Sequence, residues 1–400
     1  MILNTIYLTR NGLLEPLGQS QIYAYLRGLS KCYRITLITF EKPDDWDDAG
    51  RVESARLEVE RYGIVWKPQS FKSGPPVVAP ALSMLRMVWL TWRAVRKGKA
   101  ELIHARSYIP AAVALAVHKL TGVPFIFDMR ALWPEELITA ERLKRGSIIH
   151  RSIIWIERQC LQQASAIVSL THAAVGHLYH EYPTEMQNQR TVVIPTCTDL
   201  RRFTPASFQL SDKIVYGCVG TVLSGWFRVS WLREFFLVAA SRDPRAAFEV
   251  VTRDDVDTVR KILDPEDHLK GRLNIGPRSV EDMPDTLQGH SLTVMFYAGG
   301  ETSELGRSPT RMAEVLACGL PVVANEGVGD VASIIRDYRV GVLVTGSTHD
   351  EMLAAWNELQ ALLADPDLKR RCRQAAEEVF SLEAGTAAYA RLYDEILDAK

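Results

Sequence analysis

Short apolar runs alternate with longer amphipathic ones along the whole chain, and this alternation restricts the fold more than any other feature. The runs 2–9, 33–40, 63–66, 102–105, 125–128, 166–170 and 192–194 read as buried strands. They are short, rich in β-branched residues and bounded by polar or turn residues. The stretches 19–30, 111–120 and 147–163 between them have helical spacing. A βαβα rhythm predicts a mostly parallel sheet with helices on both faces. The rhythm restarts with 214–220, 248–252, 273–275, 292–297, 321–324 and 340–344.

Four hundred residues are too many for one ordinary domain. The segment 198–213 between the two rhythms is polar and carries Pro205, so the boundary is expected there. The expectation is an α/β chain of two doubly wound parallel-sheet domains, 1–205 and 206–381. Open sheets of this kind bind ligands at the carboxyl ends of their strands. Two of them suit an enzyme that brings two substrates together, although fold alone does not define function. No short internal repeat occurs, which argues against a solenoid.

The net charge is -1, from 47 basic and 48 acidic residues, which argues against a dedicated nucleic-acid binder. The balance is uneven. Residues 1–200 hold 24 Lys and Arg against 18 Asp and Glu, or +6, and residues 201–400 hold 23 against 30, or -7. Two halves of opposite sign suggest different partners. The six cysteines are widely spaced without a CxxC pair, and the chain opens without a basic, apolar, small-residue leader pattern. Reduced thiols and a cytoplasmic location are expected. No run of 18 apolar residues occurs, so no membrane span is expected.

The most informative stretch runs from Gly306 to Ala324. Ser308 suits an N-cap, Pro309 the first helical position and Gly319 the stop, which predicts a helix from Pro309 to about Cys318. Its first turn exposes the amides of Thr310 and Arg311, with Arg307 and Arg311 beside them. A helix start flanked by cations suits a phosphate or diphosphate. Glu314 lies one turn on, where a carboxylate can accept from sugar hydroxyls. A well-capped helix with a surface Glu is the simpler reading of the same residues.

The stretch resembles the donor-site signature of glycosyltransferase family 4, retaining enzymes of the GT-B fold. Glu314 matches the second Glu of the signature, which the resemblance places on the ribose of a nucleotide sugar, and Cys318–Val323 matches its Gly-x-Pro-Val-Val tail. Gly306 stands where the first Glu belongs, with Glu304 two residues earlier as a substitute. A second match runs from Tyr216 to Trp226, a strand entering a Gly-rich turn at Gly220. Thr221 and Trp226 occupy places where the family often carries Arg and Lys on the diphosphate. Arg228, Arg253, Arg307 and Arg311 are the replacement cations, with a solvated charge the simpler reading for Arg253.

The first half matches too. Residues 11–20 form a ten-residue loop with Gly12, Gly18 and Gln19, long for a βα connection. The resemblance implies that this flexible loop arranges acceptor and donor. His104 and Arg106 end one strand, and Asp128 and Arg130 end the next. Asp128 stands where many relatives carry a catalytic-site His, and it would order an acceptor hydroxyl or take its proton. Arg130 would orient Asp128 or bind an anionic acceptor. An Asp128–Arg130 ion pair that fixes the loop is the alternative, and His104 reads equally as structural. Asp199 and Phe203 resemble parts of the family's domain linker. Residues 381–399 read as a helix with Tyr389, Leu392, Tyr393 and Ile396 on one side. The resemblance implies that this helix crosses back, so that 382–400 joins the first domain of two facing Rossmann-like domains.

Residues 81–99 form a separate feature. As a helix they place Met84, Leu85, Val88, Trp89, Trp92 and Val95 on one face and Arg86, Arg93 and Lys97 on another. No acidic residue occurs from Ser73 to Ala100. Trp with Lys and Arg on an amphipathic helix is the pattern of an interfacial membrane anchor. A core pair of tryptophans beneath a solvated basic face is the alternative.

The expected function is transfer of a sugar from a UDP- or GDP-type nucleotide sugar to a glycan or lipid-linked acceptor. The resemblance implies retention of anomeric configuration, no metal and no resident cofactor. It gives the second half the donor and the first half the acceptor. A role in cell-surface polysaccharide or glycolipid synthesis at the inner face of the membrane fits this reading. Two other functions fit the same residues. One is a nucleotide-sugar epimerase or phosphorylase of the same fold, and the other is a non-catalytic nucleotide-sugar-binding module.

Overall fold

The computed structural model describes residues 3–70, 78–206, 213–269 and 271–399, with the backbone alone for 78–82. Contacts divide it into two units, Met1–Pro195 with Leu382–Lys400, and Thr196–Ser381. The strands of the first are β1 (Leu3–Thr9), β2 (Tyr33–Glu41), β3 (Val65–Ser70), β4 (Leu102–Arg106), β5 (Phe125–Asp128), β6 (Ala166–Ser169) and β7 (Thr191–Val193). They form one parallel sheet in the order β3-β2-β1-β4-β5-β6-β7. Every residue of β4, β5 and β6 is buried, which is why these strands read as unbroken apolar runs.

The helix Leu382–Asp398 belongs to this unit and packs on the helix Ala24–Leu29. Its buried side carries Tyr389, Leu392, Tyr393 and Ile396, as its spacing predicts. The Tyr33 hydroxyl at the start of β2 donates to the carbonyl of Ala390, tying helix to sheet.

The second unit contains β8 (Ile214–Val219), β9 (Ala246–Val251), β10 (Leu273–Gly276), β11 (Leu292–Met295), β12 (Val322–Asn325) and β13 (Gly341–Val344). They too form a parallel sheet, in the order β10-β9-β8-β11-β12-β13. Its core includes Tyr216, Phe235, Phe236, Phe248 and Phe296, each at most 1% exposed. Full burial of one such ring contributes roughly 1.5–3 kcal/mol.

Three expectations need correction. The division falls after Pro195 instead of near residue 205. Thr198 pairs with Ser381, and Phe203 is buried in the core of the second unit, so the polar stretch already belongs there. Residues 207–212 of the expected boundary, and Ile2 of the first expected strand, lie outside the described residues.

The helix expected over 19–30 begins earlier, at Pro16, and passes through a π turn over Gln19–Tyr23. This shortens the loop after β1.

In the helix Val78–Gly98 the buried side is Met87, Thr91, Ala94 and Val95. Leu85, Trp89 and Trp92 are exposed, at 66%, 50% and 37%. The two tryptophans are therefore not core. The side chains of Ala81 and Leu82, at the start of the expected anchor, lie outside the described residues.

Candidate functional site

Each sheet has one place where the strand order reverses, between β1 and β4 in the first and between β8 and β11 in the second. The loops leaving such a pair of strands diverge and open a crevice at their carboxyl ends. The candidate residues gather at these two places.

In the first unit, Arg10, Asn11, Glu15 and Lys42 line a crevice of about 360 Å3 together with Ser107, Tyr108 and Trp133. Ser107 precedes the helix Tyr108–Thr121 with φ 77° and ψ 173°, a conformation nearly reserved for glycine. Its amide donates to the Asp128 carbonyl at 2.8 Å, which pins the strained turn to β5.

The loop after β1 is not the flexible segment that its glycines suggest. Glu41, fully buried at the end of β2, accepts the amide hydrogens of Leu13 and Leu14 at 2.8 and 3.2 Å. A Cβ on Gly12 would lie 2.4 Å from Glu41 Oε2, and one on Gly18 would lie 2.0 Å from the Gly12 carbonyl oxygen. Gln19 donates from its side chain to the Leu13 carbonyl. Gly12, Gly18 and Gln19 thus shape the loop. Sequence reasoning missed Glu41, because its partners lie 28 and 27 residues earlier.

Asp128 and its neighbours form a buried network. Its carboxylate accepts from His104 Nε2 and the Tyr389 hydroxyl, both at 3.1 Å, and from Arg130 Nη1 at 3.4 Å. Arg106 Nη1 lies 3.8 Å away. His104 Nδ1 is 2.7 Å from the Tyr393 hydroxyl. Burial pushes the His104 pKa down against the pull of Asp128. A neutral ring with its proton on Nε2 satisfies both contacts.

Burial alone would raise the Asp128 pKa, but Arg130, His104 and Arg106 outweigh it and hold the carboxyl well below the usual range. A carboxylate this acidic, fully buried and held by several donors is a poor proton acceptor. Asp128 and Arg130 form the ion pair that the sequence offers as the alternative, joined by His104, Tyr389 and Tyr393.

In the second unit, Gly220 leaves β8 with φ +130°, a value that would strain any other residue. Asp254 Oδ2 then accepts from the amides of Val222 and Leu223 at 2.6 and 3.0 Å. Thr221 and Arg253 are exposed on either side of this clamp. The loops after β11 and β12 touch backbone to backbone. A Cβ on Gly299 would lie 2.1 Å from the Glu326 carbonyl oxygen, and one on Gly327 would lie 2.4 Å from the Gly300 nitrogen.

Arg307 is enclosed. Its guanidinium carbon lies 5.4 Å from the Trp226 ring centroid and 5.6 Å from that of Tyr297. It donates to both Glu304 oxygens, at 2.5 and 2.9 Å. Glu304 is fully buried, so it anchors Arg307 instead of presenting a carboxylate in place of the missing first Glu. Trp226 packs on a cation where the family often carries one. Arg228 donates to the Gly299 carbonyl and lies over Trp231, so it too is engaged.

The helix after Arg307 spans Thr310–Ala317, with Pro309 as its N-cap residue. The expected cap at Ser308 is corrected. The Ser308 hydroxyl accepts from the Thr196 amide, and the Thr196 hydroxyl donates to the Ser308 carbonyl. No acceptor among the described residues binds the amides of Thr310 or Arg311. Arg311 pairs with Glu314 one turn on. Burial raises the Glu314 pKa, with Arg311 opposing. Gly319 ends the segment with φ +76°, as expected.

These two units reproduce the architecture of the GT-B glycosyltransferases. Residues 19–197 match the glycosyl transferase 4-like domain, and the chain as a whole has the GT-B fold. No curated protein matches the chain.

A solved glycosyltransferase from Rickettsia africae is similar over 100% of both chains, with 14% identity and a TM-score of 0.74. HepE from Anabaena, solved with UDP, aligns over 99% of this chain and 100% of its own, at 15% identity and a TM-score of 0.70. WaaG, a glycosyltransferase involved in lipopolysaccharide biosynthesis, aligns over 98% and 99%, at 12% identity and a TM-score of 0.66. At these identities the likeness establishes the fold.

Proposed function

We propose that this chain is a glycosyltransferase that moves a hexosyl group from a nucleotide diphosphate sugar to an acceptor hydroxyl, with retention of configuration and without a metal. The carrying observation is the open first turn of the helix Thr310–Ala317 beside the Arg311–Glu314 pair. The Thr310 and Arg311 amides and the Arg311 guanidinium bind the diphosphate, and Glu314 accepts from ribose hydroxyls. The same groups stabilise charge developing on the departing nucleotide, the term that usually dominates such catalysis. Arg307 acts by position, because Glu304, Trp226 and Tyr297 hold it.

A UDP-type donor is the first choice, supported by the HepE structures with UDP and UDP-glucose. The acceptor, a glycan or lipid-linked sugar, enters the first unit at the crevice with Tyr108 and Trp133, whose rings suit a sugar face. Synthesis of cell-surface polysaccharide or glycolipid at the inner face of a membrane follows from such an acceptor, with peripheral contact through 81–99. Among the described residues no helix is long and apolar enough to cross a membrane.

A thermal-shift and calorimetric screen with UDP, GDP and their sugars tests the donor, followed by a transfer assay in chelator. A UDP sugar that binds and is transferred supports the reading. Binding without transfer across a broad acceptor panel would make the chain a non-catalytic module.

A further inference from the structure

Fourteen large apolar side chains stand exposed among the described residues, and seven of them lie on three neighbouring helices of the first unit. The helix Tyr108–Thr121 packs between Val78–Gly98 and Ile148–Gln163. From the first outer helix project Leu85, Trp89 and Trp92, and from the second Ile148, Ile149 and Trp155. Ile148 and Ile149 are 83% and 67% exposed and Trp155 60%, while Leu120 on the middle helix is 67% exposed. Every exposed tryptophan among the described residues is in this set. The sequence predicts the helix Ile148–Gln163 but not its exposed apolar face, because its apolar residues suit a core face as well.

The charge on these helices has one sign. The outer helices expose Arg86, Arg93, Arg96 and Lys97 on one side and Arg151 and Arg158 on the other. The three helices contain a single acidic residue, Glu157, which is buried and accepts from the hydroxyls of Tyr108 and Tyr182. Arg93 and Arg96 lie over the rings of Trp89 and Trp92, at 5.1 and 6.0 Å.

We propose that this three-helix face docks on a bilayer of anionic phospholipid, with Trp155 and Ile148–Ile149 as a second anchor independent of the helix Val78–Gly98. Protein interfaces are depleted of charged residues at their core, although Trp and Arg are common in them. Here tryptophans alternate with cations and no exposed acid, which is the composition that suits a headgroup layer. Crossover helices in a parallel sheet run against the strands, so Ile148 and Ile149, at a helix start, lie toward the carboxyl ends of the strands. The crevice with Trp133 opens at that end. The docked face therefore holds that crevice close to the lipid surface, so the acceptor class is an amphiphile resident in the bilayer. This last step rests on the proposed transferase reading; the docking itself does not.

Co-sedimentation of the full chain with vesicles of phosphatidylglycerol and phosphatidylcholine tests the surface. Binding is expected to phosphatidylglycerol vesicles, to fall with salt and to be lost on phosphatidylcholine alone. The triple variant Ile148→Ser, Ile149→Ser, Trp155→Ser and the double variant Trp89→Ser, Trp92→Ser should each weaken partitioning by about tenfold or more. Wild-type partitioning by the triple variant overturns the second anchor, and failure of the wild type to bind overturns the surface. A solution dimer that the same substitutions dissociate, without vesicle binding, makes the face a protein interface and overturns it too. Nucleotide titration without vesicles checks folding of each variant. If the wild type fails that titration yet binds vesicles, the transferase reading falls and the docking surface stands.

Discussion

His104 and Asp128 are joined by a hydrogen bond of 3.1 Å, Nε2 to Oδ2, in a place where their side chains are 1% and 0% exposed. The bond crosses from β4 to β5, and Tyr389 and Tyr393 extend it to the C-terminal helix. It fastens that helix to the carboxyl end of the first sheet.

Asp128→Asn should therefore act on stability before turnover. The substitution leaves the buried Arg106 and the partly buried Arg130 without their counter-charge. Breaking a buried pair from one side costs about 3–5 kcal/mol. Urea unfolding should show a loss of this order. A variant as stable as wild type, with reduced turnover alone, would return Asp128 to a catalytic role.

The same pair sets an acid limit. Both groups have depressed pKa values in the folded chain, so the unfolded chain binds more protons. His104 contributes stability above its unfolded value near 6.5, and this is lost as pH falls through the folded value. Asp128 behaves likewise below about pH 4. The urea midpoint should fall from pH 7 to pH 5, and His104→Gln should flatten that slope. An unchanged slope would assign the acid sensitivity elsewhere.

Glu314 has the opposite linkage, because burial raises its pKa despite Arg311. The folded chain favours the protonated form, so ionised Glu314 at pH 7 weakens stability. Glu314→Gln should keep or raise the melting temperature while weakening nucleotide-sugar binding. Loss of one or two charge-assisted hydrogen bonds corresponds to about tenfold to a hundredfold in affinity. Wild-type affinity by calorimetry would remove Glu314 from the donor site.

The strands were legible because both faces of each sheet are covered, which writes them as compact apolar runs. The final helix was legible because the 3.6-residue period of Tyr389, Leu392, Tyr393 and Ile396 marks one side. What escaped depends on distant partners. Ser308 has good capping chemistry, but Thr196, 112 residues away, holds its hydroxyl and leaves Pro309 at the cap. Glu41 reads as a polar strand end, and only the folded chain shows Leu13 and Leu14 donating to it. Arg307 reads as a phosphate ligand until Glu304 and Trp226 are seen around it.

The Glu41 clamp makes a sharp steric prediction. Gly12→Ala would force a methyl into Glu41 Oε2, and Glu41 cannot retreat without releasing Leu13 and Leu14. A loss of roughly 1–3 kcal/mol is expected from the freed amides and the desolvated carboxylate. Hydrogen exchange should show faster exchange at Leu13 and Leu14. Protection equal to wild type would mean that the loop does not depend on the clamp.

Trp226 offers the strictest test of the second unit. The ring lies 5.4 Å from the Arg307 guanidinium, and such contacts contribute about 0.5–2 kcal/mol. Trp226→Lys restores the residue type that the family often carries, but it sets a second cation against Arg307 and removes the stacking face. If Arg307 acts by position, Trp226→Lys should weaken UDP-sugar binding several-fold, and Trp226→Phe should largely preserve it. If the diphosphate instead needs a cation at this position, Trp226→Lys would bind more tightly than wild type. Parallel calorimetric titrations of the two variants decide between a stacked support and a vacant phosphate contact.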